Sequence, residues 1–215
     1  MIKLTKLECP DTLSQNKEKW TKEYMSYIEK GQRPPESVAT RYNHSDIKST
    51  LKKETYGKCA YCESYVQHVY PGDIEHIKPK SKYPKLIFEW ENLTYACWQC
   101  NHNKLDQYNE DCPPINPYIE DPGDFLIAFR AYIYQRRGNE RGRYTKELLK
   151  LNRPPLLEQR RKRVNELKEK LLDRYAGETD ETIKNALLSQ IKVEIADDKE
   201  YSFCLRSVFD QMASP

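Results

Sequence analysis

The chain has 215 residues, a length that suits one domain or two small ones with a sizeable buried core. Hydrophobic residues make up 38% and charged residues 32%, a balance that predicts a polar, helix-rich protein, and a net charge of +3 is too small to indicate a nucleic-acid partner by itself. No apolar run approaches the roughly 20 residues of a bilayer span, and the N-terminus lacks a signal-peptide pattern, so we expect a cytoplasmic protein.

The N-terminal region, residues 1–56, is predicted to be helical. Ser14 or Asn16 is a candidate N-cap for a first helix, and Asp46 for a second helix over residues 46–56. The apolar face of the first helix follows the helical spacing and consists of Trp20, Tyr24, Tyr27 and Ile28.

The central region, residues 57–110, is predicted to form a β-β-α unit. A short strand is expected over residues 73–77, because this segment follows the Pro71-Gly72 turn. A second short strand is expected over residues 92–96. A helix is expected over residues 101–107. The long connection between the two strands is rich in lysine.

The C-terminal region, residues 111–215, begins with a proline-rich acidic loop and is then predicted to be helical. Helices are expected over residues 156–175, 181–196 and 199–212. The first half is basic, since residues 136–174 contain fourteen Lys or Arg against six Asp or Glu. Such a run suits a phosphate backbone, although most charge runs are simply solvated helix faces.

Two cysteine pairs frame the central region. Four thiolates in two C-x-x-C pairs can close a tetrahedron around one zinc ion and leave no open position, which predicts a structural site. The remaining cysteines, Cys9, Cys112 and Cys204, are scattered and expected to be reduced, as in a cytosolic metalloprotein. The four candidate zinc ligands are Cys59, Cys62, Cys97 and Cys100.

Polar residues inside this frame predict a second, catalytic metal. Glu75 offers a carboxylate oxygen and Asn101 an amide oxygen, which suit Mg²⁺ or Mn²⁺ better than zinc. His76 is a candidate general base for an attacking water, because its ordinary pKa lies near neutral pH. Asn92 is expected to orient this histidine or to pin its loop. A lone His next to Glu is usually structural, and only the joint pattern favours a working site.

Four further residues near the frame are candidates for nucleic-acid binding. Lys104 follows Asn101 by three residues and could hold a phosphate from the same helix face, although it could equally be a solvated lysine. His102 lies about 100° around the helix from Asn101, which makes it a poorer metal ligand but leaves it free to touch nucleic acid. Lys78 and Lys80 belong to the basic run after His76.

The motifs that carry these residues resemble the zinc-framed HNH endonuclease family. They are Cys59-Ala-Tyr-Cys62, Glu75-His76-Ile77, Asn92-Leu93 and Cys97-Trp-Gln-Cys100-Asn101-x-x-Lys104. The resemblance implies a ββα-metal (His-Me finger) core, one divalent metal and phosphodiester hydrolysis. It makes His76 the general base, Asn92 its orienting partner, and Glu75 with Asn101 the metal ligands. Glu75 stands where the family more usually has Asp, and Asn101 where it often has His.

The likeness extends to PtuB-type nucleases, which are HNH effectors of Septu and some retron anti-phage systems. It implies a PtuA-type ABC-like ATPase as partner. The outer segments that carry this likeness are Arg41-Tyr-Asn-His-Ser-Asp-Ile47, Gly57-Lys-Cys-Ala-Tyr-Cys-Glu63, Gly72-Asp-Ile-Glu-His76, Ile115-Asn-Pro-Tyr118, Arg141-Gly-Arg-Tyr-Thr145 and Leu151-Asn-Arg153. These segments either pack the helical shell or form a partner surface.

Two alternatives to a DNA nuclease stay open. Nothing in the motifs reads a 2′-hydroxyl, so a structured RNA such as a tRNA is as compatible with the chemistry as duplex DNA. A zinc-organised nucleic-acid-binding module without catalysis would keep the cysteines, but it has no need of Glu75, His76, Asn92 and Asn101 together. The fold class predicted under each of these readings is α+β, a mainly helical chain around a small zinc-framed core.

Overall fold

The computed structural model describes residues 1–66 and 70–213, so His68 lies outside the described residues. The architecture is α+β, as predicted, with helices packed around two small antiparallel sheets. In chain order the elements are α1 (Asp11–Ser14), α2 (Lys17–Ile28), α3 (Glu36–Ala39), α4 (Ser45–Glu54), β1 (Asp73–His76), β2 (Leu93–Ala96), α5 (Trp98–Lys104), β3 (Leu126–Phe129), β4 (Tyr132–Gln135), α6 (Glu140–Leu148), α7 (Pro154–Leu167), α8 (Asp173–Gly177), α9 (Glu181–Glu194) and α10 (Ser202–Ala213).

The predicted N-terminal helices are confirmed, with corrections to their caps. Asn16 immediately precedes α2, but its side chain donates to the Thr12 carbonyl at 3.0 Å instead of capping the helix. Tyr24 is the buried residue of the predicted apolar face. Asp46 is not the cap of α4, because His44 takes that place and its Nδ1 accepts a hydrogen bond from the Asp46 backbone N–H at 3.3 Å. Asp46 lies instead in the first helical turn, where a negative charge is favoured by the helix dipole.

The β1–β2 sheet and α5 form the predicted β-β-α unit. Glu75 pairs with Thr94 and His76 with Leu93 across the antiparallel sheet. Gly72, with φ of +73°, permits the tight entry to β1, since a Cβ there would lie 2.3 Å from the Tyr95 ring. Helix α5 begins three residues earlier than predicted, because Cys97 serves as its N-cap and its Sγ accepts a hydrogen bond from Cys100 N–H at 3.4 Å.

The β3–β4 hairpin was not predicted. Its register pairs Ile127 with Tyr134 and Phe129 with Tyr132, and these outward side chains are apolar like the inward ones. Without polar residues at alternate positions, the period-2 signal of a half-buried strand is weak. The edge of β4 is closed by Asn152, whose side chain bonds both the N–H and the C=O of Ile133 at 2.9 and 2.7 Å.

The C-terminal helices pack against this hairpin and against each other. The predicted long helix runs as α7, a π-helical turn (Lys168–Leu172) and α8. The largest core cluster takes residues from all three predicted regions, from Leu13 through Leu93 to Cys204, so one interior supports the central unit. Among the described segments, every helix is too short or too polar to span a lipid bilayer.

Candidate active site

The four paired cysteines meet in one cluster, as predicted. Their sulfur atoms all lie within 4.8 Å of one another, and Cys62 Sγ lies 3.8 Å from Cys97 Sγ. Zinc–sulfur bonds of about 2.3 Å in a tetrahedron place sulfurs about 3.8 Å apart, so the cluster could hold a zinc ion. The turn after α4 supplies one pair, with Glu63 N–H bonding to Cys59 C=O at 3.0 Å, and α5 supplies the other.

Arg153 lies against this thiol cluster and was not singled out as a site residue from the sequence. Its guanidinium is 3.7 Å from Cys100 Sγ and 4.0 Å from Cys97 Sγ, and it also bonds the Leu149 carbonyl. Burial alone would lower the pKa of Arg153, but the neighbouring thiolates together raise it above its usual value. Its fixed positive charge would offset part of the negative charge of four thiolates.

Glu75 is buried beside Lys104. The side chain of Glu75 projects from β1, and its Oε1 lies 2.7 Å from Lys104 Nζ. Among the described residues this buried oxygen accepts no hydrogen bond of normal geometry, so the contact is an ion pair only. Burial raises the pKa of the Glu75 carboxyl, and the lysine counteracts that rise only in part. A buried carboxylate oxygen without a hydrogen bond is a fitting ligand for a hard cation.

Lys104 occupies a different place from the expected surface position. It is 1% exposed, and its ammonium donates to the His76 carbonyl at 2.8 Å besides pairing with Glu75. The buried carboxylate needs a counter-charge, which explains why this helix face turns inward. Lys104 therefore connects α5 to β1, and its buried ammonium is not placed to bind a phosphate on the surface.

His76 lies at the end of β1 in a partly enclosed setting. Its Nε2 is 2.9 Å from the Ile87 carbonyl, which can only accept, so Nε2 carries the proton and Nδ1 of the neutral ring is left as the basic nitrogen. Tyr42 packs edge-on against the imidazole with ring centroids 4.6 Å apart. Burial, more than the nearby positive charges of Lys80 and Lys104, lowers the pKa of His76 to about 4. The ring is therefore neutral at physiological pH.

Asn92 fixes the loop that follows His76. Its Oδ1 accepts from the Lys78 N–H at 2.7 Å, and its Nδ2 donates to the Lys78 and Leu86 carbonyls at 3.0 and 3.1 Å. Ile87, which follows Leu86, provides the carbonyl that holds His76. Asn92 was expected either to orient His76 or to pin its loop, and the hydrogen bonds match the second role. Asn92 orients the imidazole only through this loop, which carries the Ile87 carbonyl.

Asn101 is held by a polar chain from β1. Its Nδ2 donates to Asp73 Oδ2 at 2.9 Å, and Asp73 Oδ1 accepts from the Tyr70 hydroxyl at 2.7 Å. With the amide nitrogen engaged, the amide oxygen is the group of Asn101 that remains for a cation. Asp73 and Glu75 are two residues apart on β1, so their side chains point to the same face of the strand. This spacing is the feature of the sequence that indicates a role for Asp73 in orienting Asn101.

A cleft of about 530 Å³ brings several of these groups together. Glu75, His76 and Asn101 line it with Lys80 and Tyr42. Lys80 is half-buried and donates to the Tyr42 hydroxyl at 2.6 Å, so its positive charge stands beside the histidine. Tyr42 was not predicted as a site residue, because an isolated Tyr in a helical segment carries no local signal of its tertiary neighbour.

The two other nucleic-acid candidates lie outside this cleft lining. Lys78 is half-buried, with its Nζ 5.2 and 5.7 Å from the ring centroids of Tyr83 and Tyr108. His102 is exposed and stacks on Trp98. The structure thus places Lys80 next to the histidine and His102 on the neighbouring surface of α5.

Replacing Lys104 with methionine should destabilise the protein by about 3 kcal/mol, because it leaves the Glu75 carboxylate buried without a counter-charge. Urea unfolding at neutral pH measures this loss. The double variant Lys104→Met with Glu75→Gln should recover most of it, since the charge that needed compensation is gone. Equal unfolding free energies for Lys104→Met and the unchanged protein would contradict this account of the ion pair.

Comparison with known proteins agrees with this geometry. Residues 59–107 match the family model described as HNH endonuclease. The match begins at Cys59, the first candidate zinc ligand, and ends just beyond α5. The central segment is therefore similar to HNH endonucleases, and the resemblance seen in the sequence is confirmed.

The relatives narrow the class. The chain is similar to a Septu protein PtuB of Bacillus thuringiensis, with 28% identity over 154 residues, 71% of this chain and 55% of that protein. It is also similar to a Septu protein PtuB of Bacillus mycoides (strain KBAB4), with 28% identity over 56% of this chain and 52% of that protein. The chain spans about half the length of these curated relatives. These matches confirm the resemblance to PtuB-type HNH nucleases.

Proposed function

We propose that the chain is a metal-dependent endonuclease that hydrolyses phosphodiester bonds of nucleic acid. The observation that carries the proposal is the cleft in which a neutral imidazole, His76, stands beside two oxygen ligands, Glu75 and Asn101. General-base hydrolysis of a phosphodiester needs these two elements at one place. The match to the HNH endonuclease model supports the reaction class.

His76 would accept the proton of the attacking water at Nδ1, while Nε2 stays bonded to the Ile87 carbonyl. A pKa of about 4 makes the free imidazole a weak base. An anionic phosphate in the cleft would raise that pKa, because it stabilises the protonated ring. Lys80 would attract the phosphate, and the Asn92-pinned loop would hold the ring in line with the water.

The oxygen donors of Glu75 and Asn101 fit a hard divalent cation. Glu75 contributes a buried oxygen that accepts no hydrogen bond from the described residues. Asp73 binds the amide nitrogen of Asn101, which leaves the amide oxygen as the group for a cation. These two residues would hold Mg²⁺ or Mn²⁺, whose charge polarises the phosphodiester and stabilises the leaving oxygen when it is bound. In that state Lys104 would share Glu75 with the cation.

A cleavage assay tests the proposal. The purified protein is incubated with Mg²⁺ or Mn²⁺ and, in separate reactions, with duplex DNA, single-stranded DNA and folded tRNA. Metal-dependent cleavage of at least one substrate is expected, and the three reactions also decide between DNA and RNA. If the protein bound nucleic acid but cleaved none of the three substrates, even with the partner ATPase present, the result would favour the zinc-organised binding module without catalysis.

The finer part of the proposal is that this nuclease acts in anti-phage defence with a PtuA-type ABC-like ATPase. The similarity to two Septu PtuB proteins supports it. An exposed apolar surface also supports a protein partner. The outer face of the β3–β4 hairpin, here called the hairpin face, exposes 45% of Ile127, 55% of Phe129 and 45% of Tyr134. Exposed clusters of this kind commonly mark interaction sites.

Changing Phe129 to serine should weaken binding of the ATPase at least tenfold, because exposed aromatic anchors contribute strongly to interfaces. Titration of the partner by calorimetry measures the affinity. Unfolding free energy and cleavage without the partner should stay as in the unchanged protein. Ile119→Ser provides the control, since Ile119 is 74% exposed but lies outside the hairpin face. Undiminished binding by Phe129→Ser would remove the hairpin face from the interface.

A further inference from the structure

Helix α5 carries a pair of parallel rings on its solvent side. Trp98 and His102 are stacked with ring centroids 4.7 Å apart and planes only 9° from parallel. Trp98 is 51% exposed, although tryptophan is the side chain with the most apolar surface to bury. The buried residues of α5 are Cys100 and Lys104, so the helix is anchored without help from the tryptophan.

Helical geometry places this pair beside the cleft. At 100° per residue, Trp98 lies between Asn101 and His102 around the helix, about 60° from the first and about 40° from the second. Asn101 lines the cleft, and the same wall continues through Leu105, which is 57% exposed. The stacked pair therefore borders the proposed metal ligand, and the outer face of each ring is the face that remains for a further stacking partner.

Flat exposed aromatic rings next to a cleft that holds a lysine, Lys80, match the chemistry of an unpaired base. Every nucleobase has a π-face that can stack on Trp or His, whereas the bases of an intact duplex already stack on each other. Lys80 stands in the cleft to attract the backbone phosphate, and Trp98 and His102 offer the stacking surface beside it. If these rings bound a protein partner, they would not need to lie on the side of α5 that carries Asn101.

We propose that Trp98 and His102 form a stacking platform for an unpaired nucleobase next to the scissile phosphate. This inference rests on the proposed nuclease function and narrows its substrate class to nucleic acid that is single-stranded or locally unpaired. The platform selects for an accessible base and not for its identity, since stacking tolerates each of the four bases.

The test compares two oligomers with equal backbone charge. Twenty-residue oligothymidylate and an abasic oligomer of the same length are bound to the protein without added divalent cation, and fluorescence anisotropy gives each affinity. The unchanged protein should prefer the base-bearing oligomer on the order of tenfold. Trp98→Ala should abolish this preference, and Trp98→Phe should retain most of it. Circular dichroism and zinc content check that both variants fold.

Two controls separate the platform from other effects. Tyr56→Ala removes an aromatic ring of similar exposure, 47%, that does not line the cleft, and it should keep the preference. His76→Ala should also keep it, because stacking does not need the general base. An unchanged preference in Trp98→Ala, or equally tight binding of a blunt duplex by the unchanged protein, would overturn the platform. If the unchanged protein cleaved no substrate, with or without the partner ATPase, the nuclease function would be refuted, and the binding comparison could still be interpreted.

Discussion

Replacement of His76 by alanine is expected to lower the rate of metal-dependent cleavage by a factor of about 100 to 10,000, the usual contribution of a positioned general base. The imidazole lines the cleft with Glu75 and Asn101, and its neutral form is available because burial lowers its pKa to about 4. No other histidine lines this cleft among the described residues. Single-turnover cleavage at saturating substrate measures the effect on the chemical step.

The fold should survive this change. The alanine variant loses the bond to the Ile87 carbonyl and the ring contact with Tyr42, which together cost about 1–3 kcal/mol. That cost is smaller than the roughly 5–15 kcal/mol by which domains are usually stable. His76→Ala should therefore keep its zinc and its cooperative unfolding.

A matched control is provided by His44, a histidine outside the cleft. His44 caps α4, and His44→Ala should cost about 1 kcal/mol of stability with no loss of cleavage rate. Comparison of the two variants separates a loss of stability from a loss of cleavage activity. If His76→Ala instead lost its zinc or unfolded, the histidine would belong to the scaffold and its assignment as the base would be wrong.

The sequence predicted the central unit well because its signals are local. Two C-x-x-C pairs bring their own sulfur atoms together within each turn, and only one tetrahedron joins the pairs. The β1 strand follows a Gly72 turn and is paired as expected with β2. The cysteine frame predicts that Glu75, His76 and Asn101 lie near one another, and all three line one cleft in the structure.

Contacts between distant segments could not be predicted in this way. The sequence predicts Lys104 as a phosphate-binding or solvated lysine, but its inward position depends on the buried charge of Glu75. Arg153 approaches Cys97 and Cys100 from a helix start more than fifty residues further along the chain. Tyr42 reaches His76 only through tertiary packing. Each of these contacts joins segments that are distant in the sequence and depends on charges or packing surfaces that exist only in the folded protein.

The arrangement of α5 divides two tasks between adjacent residues. Cys100 belongs to the thiol cluster, and the next residue, Asn101, faces the cleft. Lys104 then joins the helix to β1 through Glu75 and the His76 carbonyl. A small rotation of α5 would therefore disturb the thiol cluster, the ion pair and the proposed metal ligand together. This coupling predicts that loss of zinc also abolishes cleavage.

Replacement of Cys62 by serine should release the zinc and unfold the central unit. Structural zinc sites in small peptides contribute about 10–16 kcal/mol of apparent folding energy, which is comparable to the roughly 5–15 kcal/mol by which domains are usually stable. Cys62 joins the two pairs through its contact with Cys97, so α5 would lose its anchor to the turn after α4. Arg153 would also face fewer thiolates.

Two measurements follow this change. Elemental analysis should show zinc falling from about one ion per chain to near none, and hydrogen exchange should become fast for the amides of β1 and β2. Cys112→Ser is the control, because Cys112 is half-buried and outside the thiol cluster. It should keep zinc, protection and cleavage. A Cys62→Ser protein that retained full zinc and slow exchange in β1 would show that the thiol cluster is not what positions Asn101, and the coupling through α5 would have to be abandoned.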